Sequence, residues 1–214
     1  MSTDMNIRGI ILEGHSHAGK TSLLRALKRY HASDDNAESS IVVLGEHYSQ
    51  VLQNVQGKLV RLSREQHLEL LGSRVEMLKN LNDWANDLGP WRRKSRGLFF
   101  ILERFHLNHR AAFPDHDDAD IANIEQRLFE LGARCVLLTI STEIVEERIN
   151  SRNPAEWEGK SDREVEKACN ELLEAQDALR AQAGKSLIPT LEINTDDKNW
   201  DGYARMIMEG IDFR

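Results

Sequence analysis

The chain has 214 residues, a formal net charge of −7 and two cysteines. The acidic balance disfavours non-specific nucleic-acid binding, which needs a basic surface, and no apolar run approaches the ~18 residues of a membrane span. The sequence has no signal-peptide pattern, and neither Cys135 nor Cys169 has metal-ligand spacing, so we expect a cytoplasmic protein with reduced thiols.

Apolar segments typical of strands recur along the chain, at Ile7–Glu13, Ile41–Gly45, Gly97–Glu103, Arg134–Ile140 and Ile188–Asn194. Between them lie helical patterns, at Lys20–His31, Arg64–Asp87, Ala119–Leu131, Thr142–Ser151, Asp162–Ala183 and Trp200–Ile211. Apolar strands that alternate with helices are typical of a parallel sheet covered on both faces. We therefore predict an α/β fold of three layers, in which a five-stranded parallel sheet binds its ligands at the carboxyl ends of the strands.

The first strand pattern is followed by a glycine-rich segment that fits G-x-x-x-x-G-K-[ST], the P-loop signature. Glycines let successive backbone N–H groups turn toward an anion, and the helix that follows directs its positive end at the same place. Lys20 would reach the β and γ phosphates of ATP, and Thr21 would bind Mg²⁺. The predicted nucleotide-binding segment consists of Gly14, His15, Ser16, His17, Ala18, Gly19, Lys20, Thr21 and Ser22.

Two carboxylates follow predicted strands and share the sheet edge where the P-loop lies. Glu103 occupies the Walker B position, where it would hold Mg²⁺ opposite Thr21 or merely cap a buried strand. Glu46 follows the second strand. It would accept the proton of an attacking hydroxyl or orient that hydroxyl, and the alternative is a solvated residue at the end of a strand.

Four arginines are candidates for binding phosphate oxygens. Arg104 follows Glu103 directly and would contact the transferred phosphate or an acceptor oxygen, whereas Arg74, on the long helix, would bind an acceptor group. Arg148 and Arg152 lie four residues apart on one helical face and precede a segment with Gly and Pro. They suit a lid, at about residues 150–162, that closes on ATP. For each arginine, a solvated surface position is the alternative.

Two pairs of histidines have the spacing of metal ligands. His15 and His17 occupy variable positions of the P-loop motif, where spacers or acceptor contacts are expected rather than metal ligands. His106 and His109 lack a companion set of cysteines or carboxylates. The only metal site that the sequence predicts is therefore that of Mg²⁺ at Thr21 and Glu103.

Taken in order over nearly the whole chain, these motifs resemble the P-loop nucleoside and nucleotide kinases, above all the deoxynucleoside kinases and thymidylate kinases. Glu13-Gly14 with the loop up to Thr21 is similar to the phosphate loop of both families. Glu103-Arg104 resembles the start of their Glu-Arg-Ser and Asp-Arg motifs, although Phe105 replaces the Ser. Glu46 stands where the deoxynucleoside kinases have their catalytic carboxylate.

The resemblance extends to the acceptor, lid and adenine segments. Arg74 is similar in place to an acceptor-binding arginine, and Arg148 and Arg152 resemble the lid arginines. Asn194, in the segment Ile193–Asp196, resembles the stretch that passes the adenine base.

The resemblance implies one P-loop kinase domain, residues 1–214, that transfers the γ-phosphate of Mg·ATP to a small molecule, a nucleoside or nucleoside monophosphate above others. The implied catalytic residues are Lys20, Glu46, Arg104, Arg148 and Arg152. An antibiotic-type hydroxyl kinase and an NTPase with a protein partner are the alternatives, although the guanine motif of GTPase switches does not occur.

The long helical pattern Arg64–Asp87 leaves the oligomeric state open. Its apolar positions either pack on the sheet, which is the default, or pair two subunits in a homodimer. These positions are Leu68, Leu71, Val75, Leu78 and Leu81.

Overall fold

The computed structural model describes residues 7–33, 40–87, 98–114, 116–152 and 154–210. These residues form the strands β1 (Ile7–Glu13), β2 (Ser40–Leu44), β3 (Leu52–Val55), β4 (Lys58–Arg61), β5 (Leu98–Glu103), β6 (Ala133–Thr139) and β7 (Thr190–Asn194). The sequence also predicts a polar connector at Ala32–Ser40 and a basic loop with a proline at Gly89–Arg96. Most of the connector and all of the loop lie outside the described residues.

Five of the strands form a parallel sheet in the order β2-β5-β1-β6-β7. In the central strand, Gly9 pairs with Phe100 on one side and Ala133 on the other. The predicted five-stranded parallel sheet is confirmed, with β7 beginning at Thr190 rather than Ile188. Because all five strands run the same way, the segments after β1, β2 and β5 meet at one edge of the sheet.

The helices are α1 (Lys20–Ser33), α2 (Arg64–Asp87), α3 (His106–Ala112), α4 (Ala119–Glu130), α5 (Val145–Arg152), α6 (Pro154–Trp157), α7 (Asp162–Ala183) and α8 (Trp200–Gly210). The predicted helical pattern at Thr142–Ser151 divides into a 3-10 turn, Thr142–Ile144, and α5. The short helices α3 and α6 were not predicted, because four to seven residues are too few to establish a helical period.

Strands β3 and β4 form a separate antiparallel hairpin that the sequence pattern did not reveal. Gln56 and Gly57 between them both have positive φ, 52° and 80°, as the tight turn of a two-residue hairpin requires. The hairpin is largely solvent-exposed, so its residues lack the apolar alternation by which a half-buried strand is recognised. The Val51 N–H donates to Asn108 Oδ1 and so fastens the hairpin to α3.

Apolar side chains cover both faces of the sheet. On one face, α2 and α4 pack with Phe100 at the centre of a buried cluster, and on the other face α1 and α8 pack over Phe99. The three predicted layers are thus present. On α2, Leu71, Val75 and Leu78 are fully buried in this core, which is the default role expected of them.

The sequence contains free Cys135, which is buried, and Cys169, which is half-buried. Among the residues that the structure describes, no helix combines the length and the apolar character that a membrane crossing demands.

Candidate active site

The loop between β1 and α1 has a backbone that glycine favours at several positions. Gly14, His17 and Gly19 all have positive φ, at 139°, 75° and 93°. A Cβ atom at Gly14 would lie 2.8 Å from the Leu138 carbonyl oxygen, so no side chain fits there. Left-handed residues in such a loop allow backbone N–H groups to turn toward a common point, as an anion-binding nest requires.

Lys20 begins α1 and is buried, with 7% of its surface exposed. Its ammonium donates to the carbonyl oxygens of Gly14, at 2.8 Å, and His15, at 3.0 Å. Burial and then the Arg104 charge lower the pKa of Lys20 to about 7. The loop therefore contains a buried amine that lacks a full counter-charge, and a bound polyphosphate would supply one.

Opposite the loop, three charged residues from β2 and β5 lie together. Glu103 ends β5, and its Oε2 accepts a hydrogen bond from the Glu46 N–H at 3.3 Å. The Glu46 carboxylate lies 2.9 Å from Arg104 Nε. Arg104 also donates to Ser16 Oγ at 3.0 Å and so joins this group to the P-loop. The predicted site residues Lys20, Glu46, Glu103 and Arg104 are thus brought to one edge of the sheet.

Arg104 has a φ of 51°, in the left-handed region that side chains with a Cβ rarely adopt. Its backbone is held on both sides. The Arg104 N–H donates to the Leu12 carbonyl, and the next turn is bound by the Glu13 carboxylate. Strained backbone that its surroundings enforce is concentrated at functional sites.

Glu13 is a buried carboxylate that sequence reasoning did not assign to a role of its own. Its Oε1 accepts hydrogen bonds from the N–H groups of Phe105, at 2.9 Å, and Leu107, at 3.0 Å, and so caps the start of α3. Burial raises the pKa of Glu13 to about 7, although both hydrogen bonds lower it. Glu13 therefore positions the Arg104 backbone through α3.

The predicted Mg²⁺ ligands, Thr21 and Glu103, both offer oxygen atoms. Thr21 is exposed in the first turn of α1. Burial raises the pKa of Glu103, whereas the positive charge of Lys20 lowers it. Hydroxyl and carboxylate oxygens are the hard ligands that Mg²⁺ takes, usually together with water and substrate phosphates. The donor set therefore fits a magnesium ion that arrives with a nucleotide.

The segment after β6 brings basic residues to the other side of the loop. The Arg148 guanidinium lies 5.8 Å from the centre of the Trp200 ring and donates to the Thr195 carbonyl. Trp200 in turn covers Gly19, where a Cβ would lie 2.2 Å from the ring. Arg152 is exposed at the end of α5. The pKa of His17 is lowered chiefly because His17 is partly buried, and the positive charge of Arg152 lowers it further.

Two further predicted residues make contacts within the fold. Arg74 donates from Nε to the Tyr48 carbonyl at 3.2 Å, and so binds the turn that follows Glu46. The Asn194 side chain accepts a hydrogen bond from the Asp196 N–H at 2.8 Å. Acceptor binding by Arg74 and nucleotide binding by Asn194 stay predictions.

The histidines with ligand-like spacing are buried in separate surroundings. His109 Nδ1 lies 2.9 Å from His67 Nδ1, and His106 Nδ1 lies 3.7 Å from the Glu13 carboxylate. In the part of the chain that the structure describes, no group of three or more His, Cys, Asp or Glu side chains forms a metal site.

A cavity of about 450 Å³ opens beside the P-loop. One wall consists of P-loop and α3 residues, the other of α6 and α7 residues. Its volume lies within the ~300–1,000 Å³ of small-molecule sites. Among the residues that line it are Ser16, Arg104, Asn108, Trp157, Leu172 and Ala175.

Sequence reasoning missed three residues that contact the loop: Gln176, Thr195 and Trp200. Gln176 Oε1 lies 3.1 Å from His15 Nε2, and Thr195 Oγ1 donates to the Ala18 carbonyl. All three are more than 150 positions away from the loop in the sequence, and none belongs to a motif with a fixed spacing. No local signal could have found Gln176 or Trp200, whereas Thr195 lies in the segment Ile193–Asp196, whose resemblance already pointed to the nucleotide.

Comparisons with known proteins concern the fold. Neither the models of protein families nor the curated proteins give a match to this chain. Among solved structures, it is similar to the YorR protein of Bacillus subtilis, determined in complex with phosphorylated GDP. The TM-score is 0.59 and the identity 14%, over 95% of each chain.

Two kinases are also among the similar structures. The gluconokinase of Sinorhizobium meliloti 1021 has a TM-score of 0.51 and 13% identity, over 95% of this chain and 91% of that one. The thymidylate kinase of Ehrlichia chaffeensis has a TM-score of 0.50 and 15% identity, over 94% of this chain and 98% of that one. The fold of P-loop kinases, predicted from the motifs, is therefore confirmed.

Proposed function

We propose that this protein is a P-loop kinase that transfers the γ-phosphoryl group of Mg·ATP to a small-molecule acceptor of the nucleoside or nucleotide class. The observation that carries the proposal is the position of Arg104. Its guanidinium contacts Ser16 Oγ in the P-loop and the Glu46 carboxylate, so a cation and a carboxylate lie next to the P-loop.

Each donor-side residue has a part in phosphoryl transfer. Lys20 exchanges its two loop carbonyls for phosphate oxygens, and Thr21 and Glu103 hold Mg²⁺. Arg148 and Arg152 neutralise charge on the phosphates when the segment at residues 150–162 closes. Because charge in the transition state spreads over phosphoryl oxygens, positioned cations account for much of the catalysis.

On the acceptor side, Glu46 is the general base. It accepts the acceptor proton, or holds the hydroxyl in line with the γ-phosphorus. Its ion pair with Arg104 orients the carboxylate, and the hydrogen bond from its own N–H to Glu103 fixes the backbone.

The structural neighbours support the proposal at the level of fold. A gluconokinase and a thymidylate kinase act on different small molecules, so the shared fold is compatible with several acceptors. A switch or motor NTPase would instead hydrolyse ATP without any acceptor.

The first test measures ADP release from Mg·ATP with nucleosides, nucleoside monophosphates and hydroxylated antibiotics. We expect one acceptor class to stimulate release and Lys20→Ala to abolish it with the fold intact, as judged by circular dichroism. Unchanged turnover in pure Lys20→Ala protein contradicts the site assignment. Acceptor-independent hydrolysis in the native protein favours an NTPase instead.

A further inference from the structure

The cavity beside the P-loop has a wall of small and apolar side chains. Along α7, the lining positions recur every three or four residues, so they form one face of the helix. Alanines on this face leave the space that larger side chains would fill. The apolar lining residues of α7 are Ala168, Leu172, Ala175, Ala178 and Leu179.

Few of the described residues that line this cavity carry a positive charge. Among the described residues that line it, Arg104 is the one lysine or arginine, and its guanidinium is already paired with Glu46. The other lining charges outside the P-loop histidines are carboxylates, Glu13 and Glu171. Glu171, with 65% of its side chain exposed, lies on the solvent side, 3.6 Å from Lys167.

A phosphate monoester needs cationic partners when it leaves water. Proteins bind such dianions with arginine forks or several N–H donors, because an unpaired buried charge costs several kcal/mol. Arg74, the predicted partner for an acceptor phosphate, is bound to the Tyr48 carbonyl and is not among the described lining residues. His15 also supplies no cation near neutral pH, since burial lowers its pKa to about 4.

From this balance we infer that the acceptor is an uncharged hydroxyl compound whose apolar body packs against α7, rather than a phosphate monoester. The inference rests on the proposed function, of which it names the acceptor chemistry. The hydroxyl end lies toward Ser16 and Arg104, the polar part of the lining, and the body lies between Trp157 and the alanine face.

The reaction then follows from the proposed roles. The acceptor oxygen forms a bond to the γ-phosphorus of ATP while the bond from that phosphorus to the β,γ-bridging oxygen breaks. The hydroxyl proton passes to the Glu46 carboxylate, which is not among the described lining residues but lies 2.9 Å from Arg104 Nε, which is. ADP leaves with the bridging oxygen. A neutral alcohol needs this base, whereas a phosphate acceptor, already ionised, does not.

The test compares alcohols with their own phosphate esters. Nucleosides with their 5′-monophosphates, and 2-phenylethanol with its phosphate, are titrated against the native protein with Mg²⁺ and a non-hydrolysable ATP analogue, by ligand-observed NMR. We expect at least one neutral member to bind ten times more tightly than its ester. Esters that bind equally or better, or a complete lack of binding by the neutral members, overturn the inference.

A variant pair locates the binding site. Ala175→Phe fills the cavity from an exposed helical position, and Ala181→Phe adds the same ring on the same helix outside the lining. We expect the first to weaken alcohol binding at least tenfold and the second less than twofold, with nucleotide affinity unchanged in both. Equal effects of the two variants overturn the location.

Transfer is then scored separately, as the mass of the phosphorylated product. Preferential binding of alcohols without any ATP-dependent product supports the preference of the cavity for neutral hydroxyl compounds and contradicts the proposed function. Phosphorylation of the esters alone supports a kinase and overturns the inference.

Discussion

Gln176 Oε1 on α7 lies 3.1 Å from His15 Nε2 in the P-loop, although the two residues are 161 positions apart. The same amide pairs with the Ile140 backbone, since Oε1 accepts from its N–H at 2.8 Å and Nε2 donates to its carbonyl at 3.0 Å. This pairing directs the amide oxygen toward the loop, where it can accept from His15 Nε2, while His15 Nδ1 faces the Ser16 carbonyl. One side chain thus joins the helix after the proposed lid to the P-loop and to the end of β6.

Replacing Gln176 should disturb the loop more than the chemistry. Gln176→Leu leaves the His15 N–H and the Ile140 backbone groups without a partner, at a cost of about 1–3 kcal/mol in the free energy of unfolding. If Gln176 positions the loop, the KM for ATP should rise about tenfold while kcat changes less than threefold. Steady-state kinetics and urea unfolding measure both quantities.

Gln182→Leu is the control, because Gln182 is also buried and lies six residues further along α7. A purely structural role for Gln176 predicts that both variants lose stability and that neither changes KM. That result contradicts positioning.

Nucleotide binding should take up a proton at Lys20. Its pKa is lowered to about 7, so the amine is half neutral near pH 7 and becomes largely neutral as the pH rises further. Polyphosphate favours the ammonium form and raises the pKa again, so affinity for ATP should fall as the pH rises above 7. Calorimetry at pH 8 in two buffers of different ionisation enthalpy should show uptake of up to about one proton.

Lys20→Met removes the titrating group, and Lys28→Met, at an exposed position of α1, is the matched control. The control should keep the proton uptake of the native protein. Uptake that persists in Lys20→Met assigns the proton to another group, of which Glu13 is the nearest candidate.

The sequence was sufficient to predict those parts of the site that local spacing encodes. The P-loop between β1 and α1, Glu103 at the end of β5 and Glu46 after β2 all follow from short motifs at strand ends. Since parallel strands bring their carboxyl ends to one edge, these residues could be placed together without a structure.

Contacts between distant elements could not be predicted in this way. The Gln176 amide and the Trp200 ring reach the P-loop only through the packing of α7 and α8, which no motif encodes. The β3–β4 hairpin is exposed on both faces, so its sequence lacks the alternation of apolar and polar residues by which a half-buried strand is recognised. For Arg74, the sequence predicted its position on α2 but not its partner, because the hydrogen bond to the Tyr48 carbonyl depends on how distant segments pack.

The buried Glu13 should make the stability of the protein depend on pH in a defined window. Its pKa is raised from 4.5 to about 7 in the folded state, so the folded protein binds a proton that the unfolded chain releases. The free energy of unfolding should therefore decrease as the pH rises from 4.5 to 7, by at most ~3 kcal/mol. Urea unfolding of native and Glu13→Gln protein between pH 5 and 8 measures this slope.

Glu13→Gln keeps an oxygen that can accept from Phe105 and Leu107 but cannot ionise. We expect the variant to lack the loss of stability between pH 5 and 7 relative to native protein. Parallel pH profiles for the two proteins would assign the slope to other groups and mean that Glu13 stays ionised throughout.

The last prediction concerns Glu46 and separates the two acceptor chemistries. Glu46→Gln removes the base but retains a side chain of the same size beside Arg104, so the affinity for ATP should change little. With a hydroxyl acceptor, turnover should fall about 10²-fold or more, because the proton then has no positioned acceptor. Glu65→Gln, at an exposed site on α2, should match the native rate. A near-normal rate in Glu46→Gln points to a phosphate acceptor, or to a base other than Glu46.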